Sequence, residues 1–335
     1  MFDTPAEIQT ALEAQDYPVP PAVIERVMGS VQPIVAFEVS SDSSPGATRF
    51  GGQPDVGEGV AWPRLPSPEA FGDIVPPYER YDLERARARL STQFPYAFVG
   101  QVDLTQMPDG VPQARLLPDE GRLLFFHDLA SYDLGVWTAK VIWDTTPADQ
   151  LSPLAFADEL LTAHREDYKQ VIENDQFDAK LAKDYGDAPV DIAARPETSQ
   201  FIFPEKPGRM KASLIVPDPL ALEFQQIGPN VIEVDGEEIW LSDMIGDMKY
   251  AVSQDQPDDF YNFAMVGPPT PEQDDPRLDA AQIAGGAPSD WVLLLQVDVA
   301  GLYQRNTEGT VYFVVRKDHL AKRDFDHVVA VYQQT

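Results

Sequence analysis

The sequence predicts an α+β fold with a mainly antiparallel β core built from two similar, duplicated halves, together with N-terminal helices and a helical insertion. Three observations predict it. An apolar run containing the order Gln-Val-Asp occurs at residues 97–104 and again at 292–299. Each run leads through a turn-rich segment to a glycine and a second apolar run, as antiparallel strands do. Between the two halves, over residues 147–183, apolar residues recur with helical spacing.

Two short helices are expected within residues 1–30. Thr4-Pro5-Ala6-Glu7 has the spacing of a capping box with proline at the first helical position. Pro20-Pro21 is expected to start the second helix through the same preference for proline. The apolar segment 31–39 then predicts the first strand, and Pro33 indicates an edge strand because proline donates no hydrogen bond to a neighbour.

The first half of the predicted repeat covers residues 31–143. Its segment Phe50-Gly51-Gly52-Gln53-Pro54 has the glycine and proline content of an ordered turn. The other elements expected in this half are a helix at 78–90 and strands at 97–104, 123–126 and 136–143. A helical insertion follows over 147–196, with two helical segments. The second segment is marked by the apolar residues Tyr168, Val171, Ile172, Phe177 and Leu181.

The second half covers residues 200–335. Its predicted strands lie at 200–203, 212–216, 292–299, 310–316 and 327–332. A hairpin is expected over 230–241, because alternating residues flank the turn pair Asp235-Gly236. The acidic, proline-rich stretch 254–290 is expected to be mostly a long surface loop. Residues 1–335 are therefore predicted to form a single domain.

Polar residues of the repeated strands form the first candidate site. Gln101 and Asp103 lie on the less apolar face of their strand, because side chains alternate between faces. Gln296 and Asp298 do the same in the second copy. In a structural role they would accept backbone N–H groups from a neighbouring loop, since buried polar groups need partners. In a functional role they would bind a ligand in a cleft between the halves. The structural role is favoured, and both stay open.

The turn Trp62-Pro63-Arg64 supplies two further candidate ligand-binding residues. Trp62 offers a ring that can stack on a ligand, and Arg64 can hold a carboxylate. The same residues can instead close the end of the sheet by packing, and that interpretation is favoured.

The composition limits the classes of function. The chain has 55 acidic and 25 basic residues, which gives a formal net charge of −30. Such a charge repels phosphate groups, so nucleic-acid and membrane binding are not expected, whereas a basic protein is a possible partner. The absence of cysteine excludes disulfides, thiolate nucleophiles and cysteine metal sites. The sequence has no signal peptide pattern and no apolar run of membrane-spanning length, so a cytoplasmic location is expected.

Catalytic and cofactor motifs are not found in the sequence. It contains no His-Glu-x-x-His, no Gly-x-Ser-x-Gly and no phosphate-binding loop, so no cofactor is predicted. His127 beside Asp128 is the best single candidate for a general base, although such a pair is more often structural. The carboxylates of 255–259 and 274–275 lack the spacing of a calcium loop, and no metal site is predicted.

Several segments together carry a family resemblance. They are Phe50-Gly51-Gly52-Gln53-Pro54, Trp62-Pro63 and the stretches 98–104, 117–126, 291–298, 309–313 and 324–328. In order and spacing they resemble the YwqG-like family of bacterial proteins, a domain family without an assigned function. The resemblance implies one α+β domain made of two similar halves, and it carries over no catalytic residues. A Gly-Gly-Tyr-Pro-like turn precedes the second half in that family, and its nearest match here is Met244-Ile245-Gly246-Asp247-Met248.

Two hypotheses of function follow. The first is a soluble, non-enzymatic binding protein that engages a basic partner, in one version an immunity-like protein that neutralises a basic toxin. Its basis is the charge and the lack of catalytic motifs. The second is a cofactor-independent hydrolase or small-ligand sensor with a cleft between the two halves. The oligomeric state is not predicted.

Overall fold

The computed structural model describes residues 1–15, 19–71, 83–130, 139–186, 191–234, 236–255, 260, 262–305 and 307–334. Some of the predicted features lie outside the described residues. They are the first part of the 78–90 helix, the start of the 136–143 strand, Asp235 of the hairpin turn, and Asp258 and Asp259 of the acidic loop.

The described residues form helices and strands along the whole chain. The helices are α1 (Pro5–Glu13), α2 (Pro21–Ser30), α3 (Pro68–Phe71), α4 (Leu83–Ser91), α5 (Asp158–Tyr185), α6 (Leu241–Asp255), α7 (Pro276–Ala284), α8 (Val299–Tyr303) and α9 (Lys317–Leu320). The strands are β1 (Gln32–Val39), β2 (Arg49–Phe50), β3 (Asp55–Val56), β4 (Ala97–Asp103), β5 (Arg122–His127), β6 (Ala139–Asp144), β7 (Ser152–Pro153), β8 (Lys206–Ile215), β9 (Val231–Val234), β10 (Glu237–Trp240), β11 (Ala264–Met265), β12 (Trp291–Asp298), β13 (Thr310–Arg316) and β14 (Val329–Gln333).

Ten strands form one sheet in the order β14-β13-β12-β11-β1-β8-β2-β4-β5-β6. Every neighbouring pair is antiparallel. We call β2, β4, β5 and β6, which continue the sheet from β8, the first arm. We call β11, β12, β13 and β14, which continue it from β1, the second arm. The predicted α+β class with a mainly antiparallel core is confirmed, and the hairpin predicted over 230–241 is present as β9 and β10.

The main core lies on the inner side of this curved sheet, where both arms bury apolar side chains. Phe125 of the first arm contacts Phe313 of the second, with ring centroids 5.2 Å apart. At the end of the first arm, Trp143 packs against Phe325, which precedes β14, at a centroid distance of 6.5 Å. The two ends of the sheet are therefore brought close to each other by apolar contacts.

Helices cover the outer surface of the sheet. On the first arm, α4 buries Ala86 and Leu90. On the second arm, α7 buries Ala280 in a cluster with Trp291 and Tyr312. The predicted N-terminal helices are present as α1 and α2, which pack with α6 in a separate apolar cluster. Each arm thus has its own helical cover, while the inner core is shared.

The edge position predicted for the first strand is wrong, because β1 lies in the centre of the sheet. It pairs with β8 along its full length and with β11 on its other side. The strand β11 is only two residues long and pairs with Val35 and Ala36. Pro33 lies beyond this short pairing, so its missing N–H leaves no bond in the β1–β11 ladder unmade.

Three predictions for the second half are also wrong. The stretch 254–290 is not one long surface loop, because it contains β11 and the nine-residue helix α7, and residues 263–266 are buried. Helix α7 starts with a side-chain cap from Asp275 and with Pro276 at its first position. Both are signals of a helix start, and they were missed because the stretch was interpreted by its acidic, proline-rich composition. Residues 200–203 form a turn around Ser199 rather than a strand. The pair Ile245-Gly246 lies inside α6 and forms no turn.

Candidate functional site

Gln101 of β4 holds the loop that follows β2. Its side-chain oxygen accepts a hydrogen bond from the Asp55 amide at 2.8 Å, and its side-chain nitrogen donates to the Ala47 carbonyl at 2.8 Å. The nitrogen also donates to the Asp55 carboxylate at 3.1 Å. The loop begins with Gly51 and Gly52 at φ values of 65° and 69°, which glycine adopts without strain. Gln101 has 0% exposure, so its polar atoms are used to fix this turn.

Gln296 of β12 makes the same kind of contacts in the second arm. Its side-chain oxygen accepts from the Thr270 amide at 3.0 Å, and its nitrogen donates to the Asn262 carbonyl at 3.0 Å. The nitrogen also bonds to the Thr270 hydroxyl. Gln296 is 1% exposed, and these bonds connect it to the segments on both sides of β11.

The two candidate aspartates cap short helical turns. Asp103 accepts hydrogen bonds from the amide and the hydroxyl of Thr105, at 3.0 and 2.7 Å. Asp298 accepts from the Gly301 amide at 2.7 Å, at the start of α8. Burial, together with the negative charge of Glu272, raises the pKa of Asp298 to about 6, although the amide hydrogen bonds oppose the rise. Both residues therefore have a local structural partner.

Trp62 and Arg64 make contacts on the outer side of the first arm. The Trp62 indole N–H donates to the Tyr96 carbonyl at 2.8 Å, and its ring packs edge-on against Phe126 at a centroid distance of 6.0 Å. Arg64 forms an exposed ion pair with Glu159 of α5 at 2.9 Å. These contacts attach the 60–65 loop to the first arm and to the start of α5.

The six predicted ligand-binding residues bond to separate parts of the chain. Within the part of the chain that the structure describes, no hydrogen bond joins Gln101 or Asp103 to Gln296 or Asp298. In the strand ladders, each glutamine lies opposite a residue whose side chain packs in an apolar cluster on the outer side of the sheet. The contacts support the structural role of these residues, and ligand binding by them stays a prediction.

The predicted general base has a packing environment. His127 is 2% exposed at the end of β5, and its ring lies edge-on to Phe313 with centroids 6.2 Å apart. The carboxylate of Asp128 receives two hydrogen bonds from the Arg89 guanidinium, at 2.7 and 2.9 Å. Asp128 thus binds α4 to the first arm through Arg89.

A Ser-His-Glu arrangement that sequence reasoning missed joins α5 to the 197–202 turn. His164 bonds to the Ser199 hydroxyl at 2.8 Å through Nδ1 and to the Glu197 carboxylate at 2.9 Å through Nε2. The Ser199 oxygen also accepts the amides of Phe201 and Ile202, each at 3.1 Å. Ser199 is 0% exposed, and a nucleophile must be reached by its substrate. The arrangement is therefore a structural clamp.

A second cluster that the sequence analysis did not identify consists of His319, Asp324 and His327. One Asp324 carboxylate oxygen lies 2.9 Å from Nδ1 of each histidine. The two imidazole rings are stacked, with centroids 4.0 Å apart. Hydrogen bonds from His319 and then His327 lower the pKa of Asp324 to about 2. The sequence signal was the spacing His-x₄-Asp-x₂-His, which is not the single-helix pair that the motif search required.

Helix α5 exposes large apolar side chains near its C-terminal end. Phe177, Leu181 and Tyr185 are 60%, 36% and 80% exposed. Phe177 and Leu181 belong to the apolar residues that predicted the second helical segment, and they are exposed, whereas Ile172 of the same set is half-buried. Five positions separate Ile172 and Phe177, a rotation of about 140° around the helix, so the two side chains face different ways. The two predicted helical segments are one continuous helix.

The described residues also line a cavity that is partly open to solvent, beside the main core. It has a volume of about 400 Å³ and is lined by side chains that include Leu129, Gln200, Val299, Tyr303 and Tyr332. Among the described helices, none has an apolar stretch that would cross a lipid bilayer.

Comparison with known proteins gives a family. The model of the family described as "Domain of unknown function (DUF1963)" matches residues 48–333. The match begins immediately before β2 and extends into the end of β14, so it contains both arms and β8, while α1, α2 and β1 precede it. A search of curated proteins found no match.

Proposed function

This chain belongs to the DUF1963 family, a domain of unknown function, and we propose that it is a non-enzymatic binding protein that engages a basic protein partner. The observation that carries the proposal is the exposed apolar stripe of α5, formed by Phe177, Leu181 and Tyr185. These residues are spaced four apart, so they lie along one face of the helix.

The rest of α5 is firmly attached to the protein. Leu160 and His164 are buried at its N-terminal half. Further along, Asp175 is 2% exposed and forms ion pairs with Arg195 and Arg305. The helix thus has one face held by buried contacts and a second apolar face that is accessible. Exposed apolar residues grouped in this way are typical of protein-binding surfaces.

Charge gives the class of partner. The chain carries a net charge of −30, and the exposed charged residues beside the stripe are three acids and two lysines: Glu173, Asp178, Asp184, Lys180 and Lys183. Opposite charge increases the rate of association, while burial of aromatic side chains supplies most of the affinity. A basic protein segment with apolar residues fits both features. An immunity-like protein that neutralises a basic toxin is one form of this proposal, and it rests on analogy.

The test compares three proteins as immobilised baits: the wild type, the double variant Phe177→Ser/Tyr185→Ser, and the control Leu278→Ser. Leu278 is a 42% exposed apolar residue on another helix, α7, so it controls for loss of surface hydrophobicity. We expect basic proteins to be retained at low salt by the wild type and the control, and to be lost with the double variant or at high salt. Retention that is unaffected by the double variant, or partners that are not basic, would contradict the proposal.

We also propose that the two arms arose by duplication and that the chain belongs to the YwqG-like group. One support is that each arm holds its first loop through one glutamine. Another is the matching irregularity of the central ladders: a bulge lies between Phe98 and Gly100 in the first arm and between Leu293 and Leu295 in the second. In both arms, the strand that carries the glutamine is followed by the next two strands in chain order up to the edge of the sheet: β4-β5-β6 and β12-β13-β14.

Two further contacts support duplication. After each aspartate, the backbone amide donates to a glycine carbonyl: Leu104 to Gly121 at 3.0 Å and Val299 to Gly309 at 2.8 Å. The edge strands add a similar bond, because Trp143 and Tyr332 donate to the carbonyl of the glutamate that precedes each glycine. The turn that corresponds to Gly51-Gly52 is Val266-Gly267, with φ values of 43° and 122°. It follows β11, whereas the nearest sequence match to the family turn lies inside α6.

A small-ligand sensor is the second candidate function, and the 400 Å³ cavity favours it. The cavity is lined by Leu129, which follows β5 of the first arm, and by Val299 and Tyr303 of α8, which follows β12 of the second arm. A thermal-shift screen of metabolites tests this candidate. A ligand that stabilises the wild type but not Tyr303→Ala would support it, because Tyr303 lines the cavity. Equal stabilisation of both proteins would contradict it. For the hydrolase form, the sealed Ser199 offers no accessible nucleophile.

A further inference from the structure

We propose that His319, Asp324 and His327 form a binding site for a divalent transition-metal ion, with Zn²⁺ as the ion that fits best. The three residues lie in the connection between β13 and β14, away from α5 and its stripe. Each offers one ligand atom, and these atoms lie within 4.8 Å of one another. The proposal is independent of the proposed binding function.

The backbone brings the three side chains together. After α9, Arg323 adopts a left-handed conformation with a φ of 59°, which reverses the chain. The Asp324 amide then donates to the His319 carbonyl at 3.0 Å. Asp324 also caps the next turn by accepting the Asp326 amide at 3.3 Å, and that turn carries His327. The positions of the ligands are thus set by backbone hydrogen bonds.

The cluster is anchored to the core. Phe325, between Asp324 and His327, is 5% exposed and packs against Trp143 of β6. On the outer side, Asp326 forms an ion pair with Lys140 of the same strand. Because the loop is held at both sides, forming the site requires little ordering of the chain, which favours binding.

The distances suit a tetrahedral ion. In a zinc site with bonds of about 2.0–2.1 Å, neighbouring ligand atoms are roughly 3.3 Å apart. The Asp324 oxygen is already 2.9 Å from Nδ1 of both histidines. An ion can therefore replace the two hydrogen bonds with a small outward movement of the rings. The His327 side chain is 58% exposed, so the ion can enter from solvent and water can take the fourth position.

The ligand types select the class of metal. Two imidazole nitrogens and one carboxylate are typical of Zn²⁺ and its neighbours Co²⁺, Ni²⁺ and Cu²⁺, whereas Ca²⁺ takes six to eight oxygens. Three of the nearby cationic groups have other partners, and two of these are acidic: Lys140 pairs with Asp326, and Arg316 pairs with Asp318. The Arg323 guanidinium donates to the Leu116 carbonyl. These cations are therefore directed to other oxygens and not to Asp324.

The location gives the site an expected effect on the fold. The loop belongs to the second arm, and its Phe325 and Asp326 contact the last strand of the first arm. An ion that joins His319 to His327 would strengthen this connection between the two ends of the sheet. Since the ion binds the folded chain preferentially, it should raise the melting temperature.

The test is calorimetric titration of tag-free protein with Zn²⁺, followed by thermal unfolding with and without the ion. We expect one bound ion per chain for the wild type. His319→Ala, His327→Ala and Asp324→Asn should each weaken binding by about tenfold or more, and they should remove the rise in melting temperature. The chain contains no cysteine, so thiolates make no contribution to the signal.

The control is Asp149→Asn, which removes an exposed carboxylate that lies outside the connection between β13 and β14. It should bind Zn²⁺ within about twofold of the wild type. Circular dichroism of each variant checks the fold, and His327 is exposed enough to be replaced without a cavity in the core. Absorption of the Co²⁺-loaded protein reports tetrahedral coordination. The proposal is overturned if His319→Ala/His327→Ala binds Zn²⁺ as tightly as the wild type, or if Asp149→Asn loses as much affinity as Asp324→Asn.

Discussion

The two arms of the sheet hold their first loops with the same residue type but with different surroundings. In both arms a buried glutamine accepts one backbone amide and donates to one backbone carbonyl. In the first arm, the residue that gives the amide is Asp55, which also forms a buried ion pair with Arg49 at 2.7 Å. In the second arm it is Thr270, whose hydroxyl and carbonyl have neutral partners, Gln296 and Tyr312.

This difference distinguishes the contacts that both arms share from the contacts that only one arm makes. The backbone bonds to Gln101 and Gln296 are common to both arms, so we regard them as the requirement of the fold. The ion pair is an addition of the first arm. Burial raises the pKa of Asp55, but the hydrogen bonds from Arg49 and from the Gly46 amide outweigh it, so the pKa is lowered overall. The first arm therefore depends on a charge, and the second does not at the matching position.

The largest difference between the arms in loss of stability is expected between Asp55→Ala and Thr270→Ala. Removal of Asp55 leaves the 6% exposed Arg49 with only the more distant carboxylate of the half-exposed Glu205, 3.9 Å away. Breaking a buried pair in this way costs about 3–5 kcal/mol of unfolding free energy. Thr270→Ala removes two neutral side-chain hydrogen bonds, one from Gln296 and a long one to Asn262 at 3.5 Å, which together are worth about 1–2 kcal/mol. Urea unfolding of both variants measures the difference.

A double variant tests the cause of this effect. Arg49→Met/Asp55→Ala removes both charges, so it should recover a large part of the stability lost in Asp55→Ala. If the double variant is less stable than Asp55→Ala, the unpaired charge is not the reason for the loss. Equal losses for Asp55→Ala and Thr270→Ala would remove the proposed difference between the arms.

Gln101→Leu and Gln296→Leu are expected to cause a smaller loss of stability that is equal in the two arms. Each change leaves one buried amide and one buried carbonyl without a partner, at about 1–3 kcal/mol for each group. We expect each variant to lose about 2–4 kcal/mol, and the two losses should agree within about 1 kcal/mol. The control is Gln106→Leu, an exposed glutamine for which a change within about 0.5 kcal/mol is expected. A loss in only one arm would contradict the shared role.

The strands and the class of the fold could be predicted because they depend on local alternation. The Gln-Val-Asp runs were correctly assigned to β4 and β12, and the structural role of their glutamines was anticipated. The partner of Gln296 could not be predicted, since it depends on which short segment lies beside β12. The strand β11 has only two residues, too few for a periodic signal, and Val266 adopts a positive φ that sequence preference assigns to glycine.

The candidate surfaces were harder to predict because they depend on three-dimensional position. An apolar residue of a helix is predicted to be buried, yet Phe177 and Tyr185 are exposed since α5 already has a different buried face. His319 and His327 come together through the turn at Arg323, and this turn contains no glycine that would have predicted it from the sequence. Short-range motifs on one helix therefore miss a site that is formed by a reversal of the chain.

The smallest of the three differences concerns the aspartates at the strand ends. Burial is the main reason why the pKa of Asp298 is raised from the ordinary 3.8 to about 6, so the folded state holds this proton more tightly than the unfolded chain does. The contribution of this group to stability is complete below about pH 4 and is lost as the pH rises through about 6.

Asp298→Asn keeps an oxygen that can accept the Gly301 amide and removes the charge. We expect it to be more stable than the wild type at pH 7 by about 1–2 kcal/mol, with no gain near pH 4. Asp103→Asn in the first arm should change stability by less than about 0.5 kcal/mol at both pH values. Urea unfolding at the two pH values measures these differences. A gain for Asp298→Asn that is equal at both would show that its origin is not the titration of the carboxylate.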